Sequence, residues 1–306
     1  MNKNCKEVKG TVIPLPTPFT KDGEVDYNTM HNYVEFLVAN GIKNVMTTVG
    51  TSRFNLLTDE EVFKLNETVV KAAAGKAVTI VANPTVGSVK RTIEFGKHAE
   101  KIGADFFLAY YPERFYGEDN IYDYFHAITK EVSTPILLHE MPMRNGFGAG
   151  QVQYSIPLLE KLLALPTIAG FKEEALDAEY SNKILTTFKD KAVIIGAGGG
   201  MSRYLLRDYD LGSYAFLGGI GNFIPSLEND FYSAITSGDK AKAEKIVNEI
   251  ELPYFQKVVP FGWHPSLKAA IALKGLMQPY ERAPMIEIKG EQLEQLTAVM
   301  KNNGWL

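Results

Sequence analysis

Eight short apolar runs, rich in strand-favouring residues, punctuate the chain: Thr11–Leu15, Asn44–Thr48, Val78–Ala82, Phe106–Ala109, Ile136–His139, Ile168–Lys172, Ala192–Ile195 and Tyr214–Leu217. Most begin about 25–35 residues apart. Between them the apolar positions recur with the period of an α-helix, over Tyr27–Val38, Asp59–Ala73, Val89–Lys101, Ile121–Glu131 and Ser181–Thr187. Strands alternating with helices predict parallel βαβ units, and eight of them predict an α/β fold closed into a (β/α)8 barrel. The rival is an open doubly wound sheet, which would carry GxGxxG just after a strand. Gly196–Gly200 (GAGGG) follows a strand but has the wrong spacing.

The pattern changes after Leu217. Leu227–Thr236, Lys240–Val258, Pro265–Leu276 and Gly290–Asn302 read as helices with no strand between them. The first completes the barrel. The other three predict a C-terminal three-helix extension, with the turn around Gly238 as its seam. The predicted organisation is a catalytic barrel over 1–238 and a helical extension over 239–306.

Composition narrows the function. The 306 residues are 45% apolar and 22% charged, ordinary values for a globular protein. A net charge of −4 argues against nucleic acid or an anionic membrane as the main partner. The single cysteine, Cys5, excludes an intrachain disulfide and a cysteine-rich metal site. The histidines (His31, His98, His126, His139 and His264) are scattered, without HxH or HExxH, so no metal centre is expected. There is no GxxxxGK[ST] loop. The polar start and the lack of any apolar run near the ~20 residues that span a bilayer lead to the expectation of a cytoplasmic protein.

Barrel enzymes work at the C-terminal ends of their strands, so those ends hold the candidate chemistry. The sixth ends in Lys172, followed by Glu173 and Glu174. A lysine there enters the barrel mouth, and desolvation of its ammonium favours the neutral, nucleophilic amine. The alternative is a structural lysine paired with Glu173 or Glu174. The fifth strand ends in His139, a neighbour of Lys172 if the strands pair in order, and either a proton carrier or a satisfied core histidine. Arg144, in the loop beyond, could grip a carboxylate or simply be a solvated surface residue. Strand two runs into Thr47-Thr48-Val49-Gly50, whose N–H groups and hydroxyls could hold an anion. Strand four runs into Tyr110-Tyr111-Pro112, a pair that usually packs. Strand eight ends at Leu217, and the glycines of Gly218–Asn222 would allow close backbone approach to a ligand. An amine nucleophile, a proton carrier, an arginine and a carboxylate cradle suit carbon–carbon chemistry on a 2-keto acid. The protonated imine is the electron sink, so no cofactor is expected.

These segments resemble the dihydrodipicolinate synthase / N-acetylneuraminate lyase superfamily of pyruvate-type class I aldolases over nearly the whole chain. Gly10–Phe19 (GTVIPLPTPF) with Asp22–Asp26 (DGEVD) is similar to its opening. Thr47–Gly50 with Leu57–Glu61 (LTDEE) resembles its second landmark, with a spacing closer to the sialic-acid lyase branch. Gly103-Ala104-Asp105, Tyr110-Tyr111-Pro112, Pro142-Met143-Arg144, Gly170-Phe171-Lys172-Glu173, then Gly212, Asn222 and Pro225, and finally His264–Ala270 (HPSLKAA) appear in order. The resemblance implies Lys172 as the Schiff-base lysine and Thr48 and Val49 as the carboxylate-binding pair. It further implies Tyr111 reaching a neighbouring subunit's site, Arg144 at the mouth, and backbone around Leu217 lining a pyruvate site. It also implies a homotetramer built as a dimer of dimers.

Three positions depart from that pattern. His139 stands where the family has its relay tyrosine, Val49 replaces the second cradle hydroxyl, and Thr51 replaces a glutamate. A phenol has an ordinary pKa near 10 and an imidazole one near 6.5, so a relay here is chemically different. A lost hydroxyl donor to a carboxylate is worth about 1.5–3 kcal/mol. These departures count against both the lysine-biosynthetic synthase reaction and ordinary sialic-acid cleavage. The expectation is a Schiff-base aldolase, lyase or synthase acting on pyruvate or a related 2-keto acid with an aldehyde partner. The alternatives are a keto-deoxy sugar acid dehydratase or hydratase-aldolase, and a catalytically idle 2-keto acid-binding protein.

Overall fold

The structure is a computed structural model that describes residues 7–83, 88–112, 117–140, 153–175 and 177–306. The strands are β1 (Gly10–Pro14), β2 (Asn44–Thr47), β3 (Val78–Ala82), β4 (Phe106–Tyr110), β5 (Ile136–Glu140), β6 (Ile168–Glu173), β7 (Val193–Gly196) and β8 (Ala215–Leu217). They are parallel, pair in chain order and close into a (β/α)8 barrel of the TIM type. The helices between them are α1 (Tyr27–Ala39), α2 (Asp59–Ala73), α3 (Val89–Ile102), α4 (Glu118–Thr129), α5 (Ile156–Leu163), α6 (Ala178–Phe188) and the short α7 (Gly200–Arg203). After β8 come α8 (Pro225–Thr236), α9 (Lys240–Ile246), α10 (Leu252–Val258), α11 (Trp263–Leu273) and α12 (Gly290–Asn302).

The expected strands lie within one or two residues of the observed ones, for a physical reason. A barrel strand packs one face into the interior and the other against helices, so it is apolar throughout rather than alternating. Accordingly β3, β4, β6 and β7 are buried along their whole length. The LTDEE segment also has a local purpose. The Thr58 hydroxyl accepts the Glu61 N–H (3.3 Å) and the Glu61 carboxylate accepts the Thr58 N–H (2.9 Å), a reciprocal cap that starts α2. Asp239 caps α9 by accepting the Lys242 N–H at 3.1 Å, at the seam expected before the extension. The helix expected over Lys240–Val258 is helical throughout but contains a π-helical turn, Val247–Glu251. Pro253 lies just beyond it, and the wider turn accommodates a residue that lacks an N–H and crowds the preceding carbonyls.

Contacts divide the chain into two compact units, Met1–Lys9 with Val78–Leu217, and Gly10–Ala77 with Gly218–Leu306. The first holds β3 to β8 and the helices between them. The second holds β1, β2, α1, α2 and the helices from α8 onward.

In the second unit the glycine segment after β8 is filled by the protein itself. Glu228, buried on α8, accepts the N–H groups of Gly219 (2.7 Å) and Gly221 (2.9 Å) and the Thr11 hydroxyl. A Cβ at Gly218 or Gly221 would lie 2.1 or 2.6 Å from the Glu228 carboxylate. Close approach explains these glycines, as expected, but the approaching group is Glu228. Burial pushes the Glu228 carboxyl above its ordinary value, against the pull of the hydrogen bonds. A raised carboxyl pKa adds stability below the ordinary carboxylate range, and that stability is lost as pH rises through the raised value. Glu228→Leu strands two buried N–H groups and is expected to cost about 2–5 kcal/mol. Glu228→Gln keeps an acceptor and is expected mainly to remove this part of the pH dependence. Chemical denaturation of the three proteins from about pH 4 upward checks both statements.

Candidate active site

In the first unit the strand registers bring three reactive side chains to neighbouring positions. Tyr110 pairs with His139 across β4 and β5, and His139 pairs with Lys172 across β5 and β6. Two features of β6 aim the lysine. A register shift opposite Ile136 and Leu137 inserts an extra residue before Gly170, a bulge that re-aims the remainder of the strand. At Gly170 a Cβ would sit 1.9 Å from the Val193 carbonyl oxygen, so only glycine lets β7 approach there. Beyond the bulge the strand alternates. Phe171 packs on Phe188 of α6 at 5.4 Å between ring centres, and Glu173 accepts a hydrogen bond from the α6 residue Ser181 at 2.6 Å. Lys172 and Glu174 face the opposite way.

Lys172, His139 and Glu174 form a closed triangle. Lys172 Nζ lies 2.8 Å from His139 Nε2 and 2.5 Å from Glu174 Oε2, and His139 Nε2 lies 3.0 Å from the same oxygen. Lys172 and His139 are each 3% exposed, whereas the Glu174 side chain is 24% exposed. The Tyr110 ring lies 4.9 Å from the imidazole. Burial pushes the Glu174 carboxyl up, but the Lys172 ammonium and the contacts from His139 outweigh it and hold the group well below the usual carboxylate range. The lysine is therefore both a strand-end amine beside a histidine and the partner of a glutamate. The two readings of Lys172 meet in one cluster. The sequence offers Glu174 only as a structural partner for the lysine. The alternation of β6 is the signal that singles it out over Glu173.

Glu173 anchors the turn that carries Glu174. Fully buried, it accepts the Ala175 N–H at 2.6 Å and pairs with Arg203 of α7. Arg203 also bonds Asp208 (2.9 Å) and the Ala197 carbonyl. Replacing Arg203 by methionine leaves two carboxylates buried with less compensation. It is expected to cost about 3–5 kcal/mol, readable as a lowered melting temperature.

In the second unit, β2 ends at Thr47, one residue earlier than expected, because Thr48 takes a left-handed conformation (φ 58°). For a β-branched residue this costs on the order of 1–3 kcal/mol, a strain that clusters at functional sites. The Thr48 hydroxyl lies 2.8 Å from the Thr47 carbonyl and 2.9 Å from Asn66 Oδ1 on α2. The Val49 N–H donates to the Ser52 hydroxyl at 3.3 Å, which itself donates to the Leu15 carbonyl at 2.6 Å. Gly50 begins a 3-10 turn that ends at Ser52. Arg53, buried with φ 62°, ties this loop down by bonding the Thr51 carbonyl, the His264 carbonyl (3.0 Å) and Glu281 (2.6 Å). Nothing in the local sequence pattern singles out Arg53.

Tyr111 is buried and packs edge-on against Tyr124 of α4 at 5.3 Å. Leu217 closes β8, and the next N–H, of Gly218, donates to the Val12 carbonyl at 2.9 Å. Arg144 lies outside the described residues. Among the described residues no group of three His, Cys, Asp or Glu side chains could hold a metal ion, and no helix is long and apolar enough to cross a membrane.

A barrel with a buried lysine at the end of its sixth strand defines a class: TIM-barrel proteins with a candidate amine nucleophile at the catalytic end. The model of the Dihydrodipicolinate synthetase family matches residues 7–303, so the chain belongs to that family. It is 26% identical over 298 residues to a 4-hydroxy-tetrahydrodipicolinate synthase of Aquifex aeolicus, covering 96% of this chain and 97% of that one. The solved dihydrodipicolinate synthase of Aquifex aeolicus superposes with a TM-score of 0.85 at 25% identity, over 97% of this chain and 99% of that one. An N-acetylneuraminate lyase from Mycoplasma synoviae shares the fold, with a TM-score of 0.83 at 24% identity over 96% and 97% of the two chains.

Proposed function

We propose that this protein is a class I, Schiff-base-forming aldolase, lyase or synthase acting on pyruvate or a related 2-keto acid, with an aldehyde as second reactant or product. The observation that carries the reading is the Lys172 amine, buried at the end of β6 and held 2.8 Å from His139 Nε2. Relatives that bear the names 4-hydroxy-tetrahydrodipicolinate synthase and N-acetylneuraminate lyase support it.

In this mechanism the Lys172 amine attacks the keto carbon and the carbonyl oxygen becomes a hydroxyl. Loss of that hydroxyl as water gives the iminium, which takes up the electron pair of the carbon–carbon bond one carbon removed as the aldehyde leaves, giving an enamine. In the reverse direction the iminium loses a carbon-bound proton to give the enamine that attacks the aldehyde. His139 carries protons between nitrogen, oxygen and carbon. The same proposal gives Tyr111 and Thr48, the latter held by Asn66, a part in moving protons with His139, and gives Thr47, Val49, Gly50, Arg144 and Leu217 a part in binding substrate. The homotetramer and a cytoplasmic location belong to the same proposal; sedimentation of the purified protein tests the first.

A second reading is dehydration of a keto-deoxy sugar acid through the same imine. His139 beside the Lys172 amine favours it, because β-elimination needs a positioned acid and base, and an imidazole ordinarily exchanges protons near neutrality. Product analysis on a panel of keto-deoxy sugar acids separates the two. Release of pyruvate and an aldehyde supports the lyase, and a dehydrated keto acid with no pyruvate supports the second reading. Binding with no turnover of any member would leave only a 2-keto acid-binding protein.

A further inference from the structure

We infer that Glu174 is a catalytic residue in its own right: its carboxylate, in contact with the reacting nitrogen, is the counter-charge that lets His139 take protons from the Lys172 ammonium, freeing the attacking amine, and return them to the departing water. The inference rests on Lys172 being the imine-forming lysine. It adds a third member to the site, one that touches the reacting nitrogen.

The support is geometric. One carboxylate oxygen, Glu174 Oε2, stands 2.5 Å from Lys172 Nζ and 3.0 Å from His139 Nε2, and those two nitrogens are 2.8 Å apart. With one ammonium, one carboxylate and a neutral imidazole the cluster carries no net charge. Passing a proton from Lys172 to His139 leaves it neutral, because the imidazolium then pairs with the same carboxylate. A buried proton transfer is expensive when it separates charge and far cheaper when a fixed counter-charge serves both positions. Glu174 is placed to be that counter-charge before and after the transfer. As a structural ion pair alone it would need to reach only the lysine.

The proton count defines the task. The ammonium carries three protons. Attack forms the N–C bond and breaks the carbonyl π bond, and loss of the hydroxyl then breaks the C–O bond. At the end one proton remains on the iminium nitrogen and two have left on water. Two protons must travel from nitrogen to oxygen, and His139, within hydrogen-bond distance of that nitrogen, can carry them one at a time beside the Glu174 charge.

Among the described residues few other groups compete. On β4 the facing titratable group is Tyr110. On β7 the residue paired with Lys172 is Ile195. Gly198, beyond β7, presents only backbone, with the position of its absent Cβ 3.5 Å from Glu174 Cγ. Glu173, Arg203 and Asp208 are bonded to one another on the other face of β6. Glu174, 24% exposed, can change partner without unpacking the core.

Two measurements test the inference. In the protein without keto acid, NMR of nitrogen-labelled histidine tracks the His139 titration. Removing the carboxylate charge with Glu174→Gln destabilises the protonated Lys172–His139 pair, so its midpoint is expected to fall by at least about one pH unit. In single-turnover reactions with pyruvate, imine formation at neutral pH is expected to slow about 10²-fold in Glu174→Gln and to recover substantially in Glu174→Asp. An unmoved His139 titration together with a rate within about twofold of the wild type would overturn the inference. If the wild-type protein traps no pyruvate, the aldolase reading fails, and the histidine titration still decides whether Glu174 governs the pair.

Discussion

Lys172→Met is expected to lower turnover by a factor on the order of 10⁴ or more, with the fold retained. Methionine keeps most of the side-chain volume and removes the amine. Glu174 loses its ammonium partner but keeps its hydrogen bond to His139, and at 24% exposure it also meets water. Lys172→Arg makes the complementary test. It restores a cation beside Glu174 and supplies no nucleophile, so activity is expected to stay lost while thermal stability returns toward that of the wild type. Steady-state rates and melting curves of both variants check this. Recovery of turnover in the arginine variant would mean that Lys172 serves only as a counter-ion.

The second large effect falls on His139. Its removal as His139→Ala is expected to lower turnover by about 10²–10⁴-fold, the usual worth of a positioned acid or base, while slow imine formation at Lys172 persists. The two defects separate because water can slowly replace the carrier in imine formation, whereas taking a proton from carbon or returning one needs a positioned acid or base. His139→Tyr installs the group that the resembling enzymes carry. A phenol titrates about three units higher than an imidazole, so this variant is expected to retain more activity than alanine and to work best at higher pH. Tyr110, with its ring 4.9 Å from the imidazole, bounds the space available to a larger ring. A pH–rate profile for each variant is the measurement. Unchanged turnover in His139→Ala would remove the histidine from the mechanism.

Most of the barrel is legible in the chain because its strands are buried on both faces and read as continuous apolar runs. The exceptions have local causes. Helix α5 has only eight residues, four of them leucines, too short for a period to stand out. Helix α7 is a single turn that passes into a π-helical segment. The pattern predicts Thr48 within β2, since β-branched residues favour strands, and tertiary contacts turn that residue left-handed instead. Within the site, Lys172 and His139 are legible as strand ends, and their adjacency comes from strand order. Glu174 is legible only as a possible partner for the lysine, because its reach to His139 depends on the bulge in β6. Arg53, Arg203 and Glu228 are not legible. Each works through partners that the fold brings together, as when Arg53 meets Glu281 across 228 positions of sequence.

The most direct test of the account is reduction with borohydride in the presence of pyruvate, then peptide mapping. A single reduced pyruvate adduct is expected on the peptide that contains Lys172, absent without pyruvate and absent in Lys172→Met. An adduct on another lysine, or a protein left unmodified by pyruvate and by other 2-keto acids, would contradict it.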